Sequence, residues 1–225
     1  MMARPGFRRD GSARLCRILH EDMPPFPKKR TAGPADKPGR IRIIGGRYRR
    51  TPIPVPDIPG LRPTPDRVRE TVFNWLRHLV GGDFAGIRAV DCFAGSGALG
   101  FEMASRGASR VVLVERNARA AEALRELQRK LGAGNVEVVG ADWKRAAARF
   151  APASFDVAFL DPPFAAGLLP QALDAVMPLL ASGGIVYAEA ADPITAEDVQ
   201  HFGLDLVRAD RAGLVHYHLL RRHTS

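Results

Sequence analysis

From residue 83 onward, the chain alternates between short apolar runs and amphipathic stretches whose apolar residues recur at helical spacing. Each of the first five apolar runs is short enough for a buried strand and is followed by a predicted helix. Strands that alternate with helices across short connections form a parallel sheet, because each crossover helix returns the chain to the same end. This alternation constrains the fold most, and it predicts an α/β protein with a doubly wound, mostly parallel sheet. Strands are predicted at residues 89–92, 110–115, 135–139, 155–160, 184–188, 205–209 and 213–221, and helices are predicted to begin near Ser96, Asn117, Lys144, Leu168 and Thr195.

The last two predicted strands are separated only by residues 210–212, which leaves no room for a crossover helix. Two strands joined in this way pair as an antiparallel hairpin. The sequence therefore predicts a seven-stranded sheet that ends in a C-terminal antiparallel hairpin.

Residues 1–39 differ in composition from the rest of the chain. They are rich in Pro, Gly and Arg, and their nine basic and four acidic residues contribute +5 to the net charge of +9. We expect a basic, mostly disordered N-terminal extension here. The chain is thus divided into this extension, a segment of residues 40–80 and the sheet-forming residues 81–225.

The segment of residues 40–80 is predicted to contain a hairpin and a helix. Apolar residues on both sides of Gly45 and Gly46 predict a short hairpin that turns at this glycine pair. A helix is expected to follow, with Thr64 as its N-cap and Pro65 at its first position. The predicted apolar face of this helix consists of Val68, Val72, Trp75, Leu76 and Leu79.

The charge and the cysteine content restrict the class of binding partner and the cellular compartment that fit this chain. Thirty-three Lys and Arg against 24 Asp and Glu favour a polyanionic partner, although a merely solvated basic surface has the same composition. Cys16 and Cys92 are the only cysteines, which excludes a disulfide framework and a zinc site built on four cysteines. No apolar stretch approaches the roughly 18 residues of a membrane span, and the N-terminus lacks the apolar core of a signal peptide. A soluble, cytoplasmic protein is expected.

A glycine-rich loop, residues 91–100, follows the first predicted strand of the sheet and opens a helix. Its glycines stand where backbone approaches a nucleotide-type ligand closely, as they also do in dinucleotide sites. A dinucleotide places its pyrophosphate against this loop, and the carboxylate of Asp91 would repel it. The same carboxylate would attract the sulfonium and ammonium groups of S-adenosylmethionine. S-adenosylmethionine is therefore the expected cofactor, with a binding loop that contains Asp91, Phe93, Gly95, Ser96 and Gly97.

Acidic residues also follow the next two predicted strands. Glu115 ends the second strand, where a carboxylate can bind both ribose hydroxyls, and Arg116 follows it. Asp142, just past the third strand, can accept a hydrogen bond from the adenine amino group, and the neighbouring Trp143 can cover the adenine ring. Each acid also has a structural interpretation, with Asp91 or Asp142 as a helix cap and Glu115 as a solvated strand end. Acids after three successive strands together favour a cofactor site.

The fourth predicted strand ends in Asp161, Pro162, Pro163 and Phe164, across the switch point of the sheet from the glycine loop. An amino group on a purine is a poor nucleophile, because its lone pair is delocalised into the ring. The Asp161 carboxylate and the Pro162 carbonyl can accept its two hydrogens and turn the lone pair toward the methyl donor. Phe164 can stack on an extruded base, and Asp161 can receive the proton. These four residues form the predicted catalytic loop, which needs no metal; alternatively, the prolines only end a strand and Phe164 lies in the core.

Basic residues cluster in the predicted hairpin and around the start of the helix that follows it. Clustered arginine with an interleaved tyrosine suits phosphate contact and base stacking, while a solvated charged face is the competing interpretation. Arg40 and Arg69 belong to this cluster. The candidate RNA-binding residues are Arg42, Arg47, Tyr48, Arg49, Arg50, Arg62 and Arg67.

Several motifs together resemble the RsmD family. They are RIIGGR at residues 42–47, LRPT at 61–64, DRVRE at 66–70 and FNWL at 73–76, together with the glycine loop and the catalytic loop at 161–164. The resemblance runs from about Arg40 to Arg221, and residues 1–39 depart from the pattern.

The resemblance implies a Rossmann-like, class I methyltransferase fold, in which residues 40–80 bind RNA and residues 81–225 form the catalytic domain. It also implies methyl transfer from S-adenosylmethionine to N2 of one guanine in 16S rRNA. The implied substrate is the assembled or assembling small ribosomal subunit, and a monomeric enzyme is expected.

Three other functions stay open from the residues alone. An N6-adenine DNA methyltransferase would share the Asp-Pro-Pro-Phe loop, but the sheet lacks an insertion large enough for a target-recognition region. An NAD-dependent oxidoreductase fits the glycine triplet and is opposed by Asp91 and Asp161. A non-catalytic RNA-binding relative is opposed by the intact acids at the cofactor positions.

Overall fold

The computed structural model describes residues 41–164 and 167–224. The predicted extension of residues 1–39 lies outside these ranges. The strands are β1 (Ile41–Arg42), β2 (Pro52–Ile53), β3 (Arg88–Asp91), β4 (Arg110–Val114), β5 (Val136–Val139), β6 (Phe155–Leu160), β7 (Leu180–Ala190), β8 (Leu204–Ala212) and β9 (Val215–Arg222). The helices are α1 (Asp66–Leu79), α2 (Ala98–Ser105), α3 (Ala118–Leu131), α4 (Trp143–Ala147), α5 (Leu169–Val176) and α6 (Ala196–Gln200), with a 3-10 turn at Met177–Leu179.

Seven strands form one sheet in the order β5-β4-β3-β6-β7-β9-β8. In this order, adjacent strands from β5 to β7 pair in parallel, and β9 pairs antiparallel with both β7 and β8. The predicted doubly wound sheet with a C-terminal antiparallel hairpin is therefore confirmed. The chain leaves β3 in one direction along the sheet and reaches β6 on its other side, so the topological switch point lies between these two strands.

The C-terminal hairpin turns later than the sequence predicted. Strand β8 continues to Ala212, and Gly213 and Leu214 alone connect it to β9. Gly213 has a φ of +63°, which a two-residue hairpin turn requires and glycine adopts without strain. The predicted turn at residues 210–212 is wrong, because these residues pair with β9 instead.

The N-terminal hairpin is present, and its turn begins at the glycine pair but is longer than predicted. Ile41 pairs with Ile53, and the turn extends over residues 45–50. The glycine pair also allows close contact with the end of α2. A Cβ atom on Gly46, whose φ is +75°, would lie 1.9 Å from the Ser105 carbonyl oxygen. The hairpin can therefore dock only through a residue that has no side chain.

Glu102 and Ser105 of α2 hold this hairpin, and we call the pair the hairpin clamp. The buried Glu102 carboxylate accepts hydrogen bonds from the backbone N–H groups of Ile44 at 2.7 Å and Gly45 at 2.9 Å. The Ser105 hydroxyl accepts from the Tyr48 N–H at 2.8 Å. The clamp thus satisfies backbone donors of the hairpin that lie outside the paired residues of β1 and β2.

Helix α1 begins at Asp66, and Pro65 rather than Thr64 is its N-cap residue. Thr64 makes no capping hydrogen bond; its hydroxyl donates to Glu189 Oε1 at 3.2 Å. The prediction that Thr64 caps the helix is therefore wrong, because the side chain turns toward the end of β7. The helix buries Val68, Arg69, Val72, Phe73 and Leu76, whereas the predicted core residues Trp75 and Leu79 are half-buried.

Each face of the sheet carries an apolar cluster. Residues of the N-terminal hairpin and α1, such as Ile43 and Phe73, share one cluster with Phe101 of α2 and Leu113 of β4. The division into a segment of residues 40–80 and a domain of residues 81–225 remains a prediction, but both contribute to one core. No helix within the described ranges is long and apolar enough to cross a membrane.

Candidate active site

The candidate active site lies where the carboxyl ends of β3, β4, β6 and β7 meet. The glycine loop connects β3 to α2, and Gly97 is the N-cap of α2 in the left-handed conformation, with a φ of +79°. A Cβ atom there would lie 2.6 Å from Leu124 and 2.7 Å from Phe101. Position 97 therefore requires glycine both for its backbone conformation and for packing.

Glu115 braces the glycine loop. Its Oε2 accepts a hydrogen bond from the Gly95 N–H at 2.9 Å, and its Oε1 accepts from the Asn117 N–H at 2.7 Å. The side chain is not simply a solvated strand end. Each carboxylate oxygen has a second lone pair, so Glu115 keeps the capacity to accept hydrogen bonds from a diol.

In the structure, Asp142 caps a helix, which is the structural interpretation that the sequence left open. Its Oδ1 accepts from the Lys144 N–H at 2.9 Å as the N-cap of α4. Trp143 is only 6% exposed and packs against Phe93, with ring centroids 5.7 Å apart. Phe93 is half-buried, so part of its ring stays accessible, and it packs against Trp143. Ser96 is buried in the loop, and Arg116 is exposed beside Glu115.

Asp91 is a buried carboxylate at the end of β3, with 2% of its surface exposed. Its Oδ1 accepts a long hydrogen bond from the Phe93 N–H, at 3.3 Å, and the backbone N–H of Gly100 also interacts with the carboxylate. None of the described Lys or Arg side chains forms an ion pair with it, and burial, aided by Glu115 and Glu189, raises its pKa to about 7. A buried negative charge without a protein cation suits a cationic ligand group.

We expect an Asp91→Asn variant to be more stable than the unmodified protein at pH 8, measured without ligand. Between the ordinary pKa of 3.8 and the folded-state value of about 7, the unfolded chain releases this proton and the folded chain keeps it. Stability therefore falls as the pH rises through this window, and the asparagine removes a penalty on the order of 2–4 kcal/mol.

Urea unfolding of both proteins between pH 4 and pH 8 measures this difference. It should be smallest at pH 4 and grow until about pH 7. The exposed Asp57→Asn serves as a control that should show no such trend. A stability gap that is independent of pH would contradict the buried charge at Asp91.

The predicted catalytic loop follows β6 and faces the glycine loop across the switch point. Pro162 is buried, Pro163 is exposed, and Phe164 is 40% exposed. Burial raises the pKa of Asp161 well above its ordinary value, and the nearby Glu189 and Asp91 carboxylates add to this effect. The structure thus brings Asp91 and Asp161 together at one edge of the sheet, with an aromatic ring presented to solvent beside them.

Glu189 is a site residue that the sequence analysis missed. It lies near the end of β7, is 6% exposed and accepts hydrogen bonds at Oε1 from the hydroxyls of Tyr187 at 2.6 Å and Thr64 at 3.2 Å. The only sequence signal was an acid directly after the apolar run 184–188. Because β7 lies next to β6, that position is beside the catalytic loop.

A cavity of about 430 Å³ opens beside the catalytic loop. Its walls come from that loop, from α5, from the end of β7 with the connection that follows, and from α6. They include Pro162, Phe164 and Glu189. The cavity is mostly apolar and large enough for a flat aromatic group.

Within the described part of the chain, no three His, Cys, Asp or Glu side chains are grouped so as to hold a metal ion.

The predicted RNA-binding residues divide into two groups. Six of the arginines are exposed, although Arg42 also forms an ion pair, with its Nε 3.6 Å from Asp66 Oδ2. Tyr48 is only 9% exposed in the core, with the Arg47 guanidinium 5.6 Å from its ring centroid, so it has little free face on which a base could stack. Arg69 is fully buried and does not reach the surface. The exposed arginines are Arg42, Arg47, Arg49, Arg50, Arg62 and Arg67.

Comparisons with known proteins agree with this geometry. The family model described as "Conserved hypothetical protein 95" matches residues 41–221. Ribosomal RNA small subunit methyltransferase D of Escherichia coli K12 is 40% identical over 191 residues, which cover 82% of this chain and 91% of the relative. The Haemophilus influenzae protein of the same name is 36% identical over 191 residues, with coverages of 80% and 93%. The solved structure of Escherichia coli yhhF superimposes with a TM-score of 0.70 at 38% identity, over 83% of this chain and 100% of that one.

The fold and the paired loops define a methyltransferase with a Rossmann-like sheet. More distant structures, such as a precorrin-6y methyltransferase from Geobacter metallireducens with a TM-score of 0.60 and 20% identity, share the fold. The chain belongs to the RsmD family, as its motifs indicated.

Proposed function

We propose that this chain transfers a methyl group from S-adenosylmethionine to the exocyclic N2 amino group of a guanine in 16S rRNA of the small ribosomal subunit. The observation that carries the proposal is the position of Asp161-Pro162-Pro163-Phe164 beside the glycine loop and its buried Asp91. The names of the relatives, as small subunit rRNA methyltransferases, support the choice of substrate.

The residues of the first loop fit S-adenosylmethionine better than a dinucleotide. When bound, this cofactor supplies an electrophilic methyl group on a sulfonium. Asp91 provides a buried negative charge for its cationic end, Glu115 provides acceptors for the ribose, and Phe93 provides an apolar face for the adenine. A pyrophosphate beside Asp91 would instead place like charges together in a buried site.

The catalytic loop holds the acceptor amine. Asp161 and the Pro162 carbonyl accept the two N–H groups of the amine and hold its lone pair toward the methyl group. The exposed face of Phe164 stacks on the base. As the N–C bond forms, the sulfur–methyl bond of the cofactor would break and the sulfur would leave as a neutral thioether. The amine nitrogen becomes cationic, and its proton passes to Asp161. The raised pKa of Asp161 makes it a better proton acceptor than an exposed carboxylate.

The exposed arginines of the N-terminal hairpin and of the segment before α1 would bind RNA phosphates. Arg49, Arg50 and Arg62 are exposed and have none of the ion pairs found among the described residues. Tyr48 is left out of this group because it is buried. Such contacts provide affinity that depends on salt and do not select the base.

Two ligand titrations test the cofactor assignment. Calorimetry should show binding of S-adenosylmethionine and no binding of NAD. A preference for NAD would contradict the proposed methyltransferase site and favour an oxidoreductase.

The acceptor is tested with small subunits that lack the modification. With labelled S-adenosylmethionine, the enzyme should label 16S rRNA, and nucleoside analysis should recover N2-methylguanosine. Recovery of N6-methyladenine, from RNA or from DNA, would favour the adenine-methylating alternative. Mapping of the labelled nucleotide then identifies the guanine.

A further inference from the structure

Glu189 is a buried carboxylate that the proposed chemistry does not use. In the pairing of β6 with β7, Phe159 lies opposite Tyr187 and Leu160 opposite Ala188. Asp161 therefore emerges next to Glu189, on strands about 4.8 Å apart. Because side chains alternate along a strand, both carboxylates point to the same face of the sheet.

The two oxygens of Glu189 differ in their surroundings. Both hydrogen bonds that its side chain accepts within residues 41–164 and 167–224, from Tyr187 and Thr64, go to Oε1. These donors fix the carboxylate from behind, and they leave the acceptor capacity of Oε2 for another group. Glu189 also lines the cavity beside Pro162 and Phe164. A carboxylate that is 6% exposed, held at one oxygen and close to Asp161 is preorganised for a ligand donor.

Guanine presents such a donor in the required place. Its N1–H lies next to the N2 amino group on the same edge of the ring. If Asp161 and Pro162 hold the amino group, the neighbouring acceptor should meet N1–H. A purine with a lone pair at N1, such as adenine or 2-aminopurine, would place that lone pair against the carboxylate.

We infer that Glu189 determines base specificity by accepting a hydrogen bond from guanine N1–H. This inference rests on the proposed function and adds to it a reason for selecting guanine. In a base with a lone pair at N1, the Glu189 carboxylate would face another acceptor and lose its donor, so discrimination is strong.

The inference needs an ionised Glu189. Burial raises its pKa, and the hydrogen bonds from Tyr187 and Thr64 lower it in part. Activity is therefore measured at mildly alkaline pH, which favours the ionised carboxylate and leaves N1 of 2-aminopurine unprotonated.

The test uses small subunits reconstituted with guanine or with 2-aminopurine at the mapped position. 2-Aminopurine keeps the N2 amino group and replaces N1–H with a lone pair. For the unmodified enzyme, kcat/KM for guanine should exceed that for 2-aminopurine by about 100-fold or more. In Glu189→Gln, the amide can donate to the N1 lone pair, and the ratio should fall to about tenfold or less. Loss of the O6 atom affects both enzymes equally, so the change in ratio isolates N1.

A matched double variant, Thr64→Val with Tyr187→Phe, separates base recognition by Glu189 from a purely structural role of this residue. It removes both hydroxyls that hold Glu189 and keeps the carboxylate. If Glu189 accepts the hydrogen bond from N1–H, this variant will keep a high guanine preference even where its overall rate falls. If Glu189 is only structural, Glu189→Gln will keep the unmodified ratio as well, which would overturn the inference.

If Glu189→Gln fails to fold, the unmodified enzyme alone still tests whether N1–H is recognised. Equal kcat/KM for guanine and 2-aminopurine would show that N1–H is not read. Failure of the proposed function looks different, because the unmodified enzyme would then not methylate the guanine subunits at all.

Discussion

Replacing Asp161 with alanine is expected to lower the rate of methyl transfer by about 1000-fold and to leave cofactor affinity within about threefold. In the proposed mechanism, the variant loses one of the two acceptors that orient the amine and the group that receives its proton. The cofactor contacts assigned to Asp91, Glu115 and Phe93 remain. Single-turnover transfer to unmodified small subunits measures the rate, and calorimetry with S-adenosylmethionine measures the affinity.

Asp174→Ala provides the matched control for this variant. Asp174 is an exposed carboxylate on α5, and its loss should leave both quantities unchanged. If Asp161→Ala retained a rate within about tenfold of the unmodified enzyme, a loss of only about 1.4 kcal/mol, the role assigned to Asp161 would be wrong. Parallel loss of cofactor binding would instead place Asp161 in the cofactor site.

The second large effect is expected from Arg69→Met, which should destabilise the fold by about 3 kcal/mol or more. The guanidinium of Arg69 is fully buried, and it donates to the carbonyls of Thr64 and Arg42 and to the carboxylates of Asp66 and Glu102. Methionine fills a similar volume but leaves these acceptors without their donor. Urea unfolding measures the change in the free energy of unfolding.

Two further variants make the result interpretable. Asn74→Ala, at an exposed position of the same helix, should change the unfolding free energy by no more than about 0.5 kcal/mol. Arg69→Met combined with Glu102→Gln removes the charges of both partners and should be less destabilising than the sum of the single changes. A loss below about 1 kcal/mol for Arg69→Met would contradict the buried network.

The sequence predicted those parts of the fold that depend on local pattern. Strand β6 was predicted at its observed bounds, because its apolar run ends abruptly at Asp161-Pro162. The loops after β3 and β6 were also placed correctly, since their glycines and prolines have backbone requirements that few other structures share.

Features that depend on tertiary contacts escaped prediction. Threonine is a common helix cap, but the Thr64 hydroxyl donates to Glu189 instead, a contact that only the folded chain provides. Arg69 and Tyr48 have the composition of an RNA-binding surface, yet the fold buries both. For Arg69 a signal existed: it precedes Val72 and Phe73 by three and four residues, which places it on the buried face of α1.

Glu189 was missed for another reason. One acid at the end of a strand is common, and its value here comes from the pairing of β7 with β6, which the order of elements in the sequence does not fix.

The hairpin clamp limits how this enzyme can be recombined with its relatives. Glu102 and Ser105 bind the turn of a hairpin that lies at least 57 residues earlier in the chain, and Gly46 fits against Ser105 without space for a side chain. A hairpin grafted from another enzyme to change the target RNA would meet a foreign docking surface on α2. Chimeras should therefore exchange residues 41–53 together with α2 as one inherited unit, even though the two stretches are far apart in the gene.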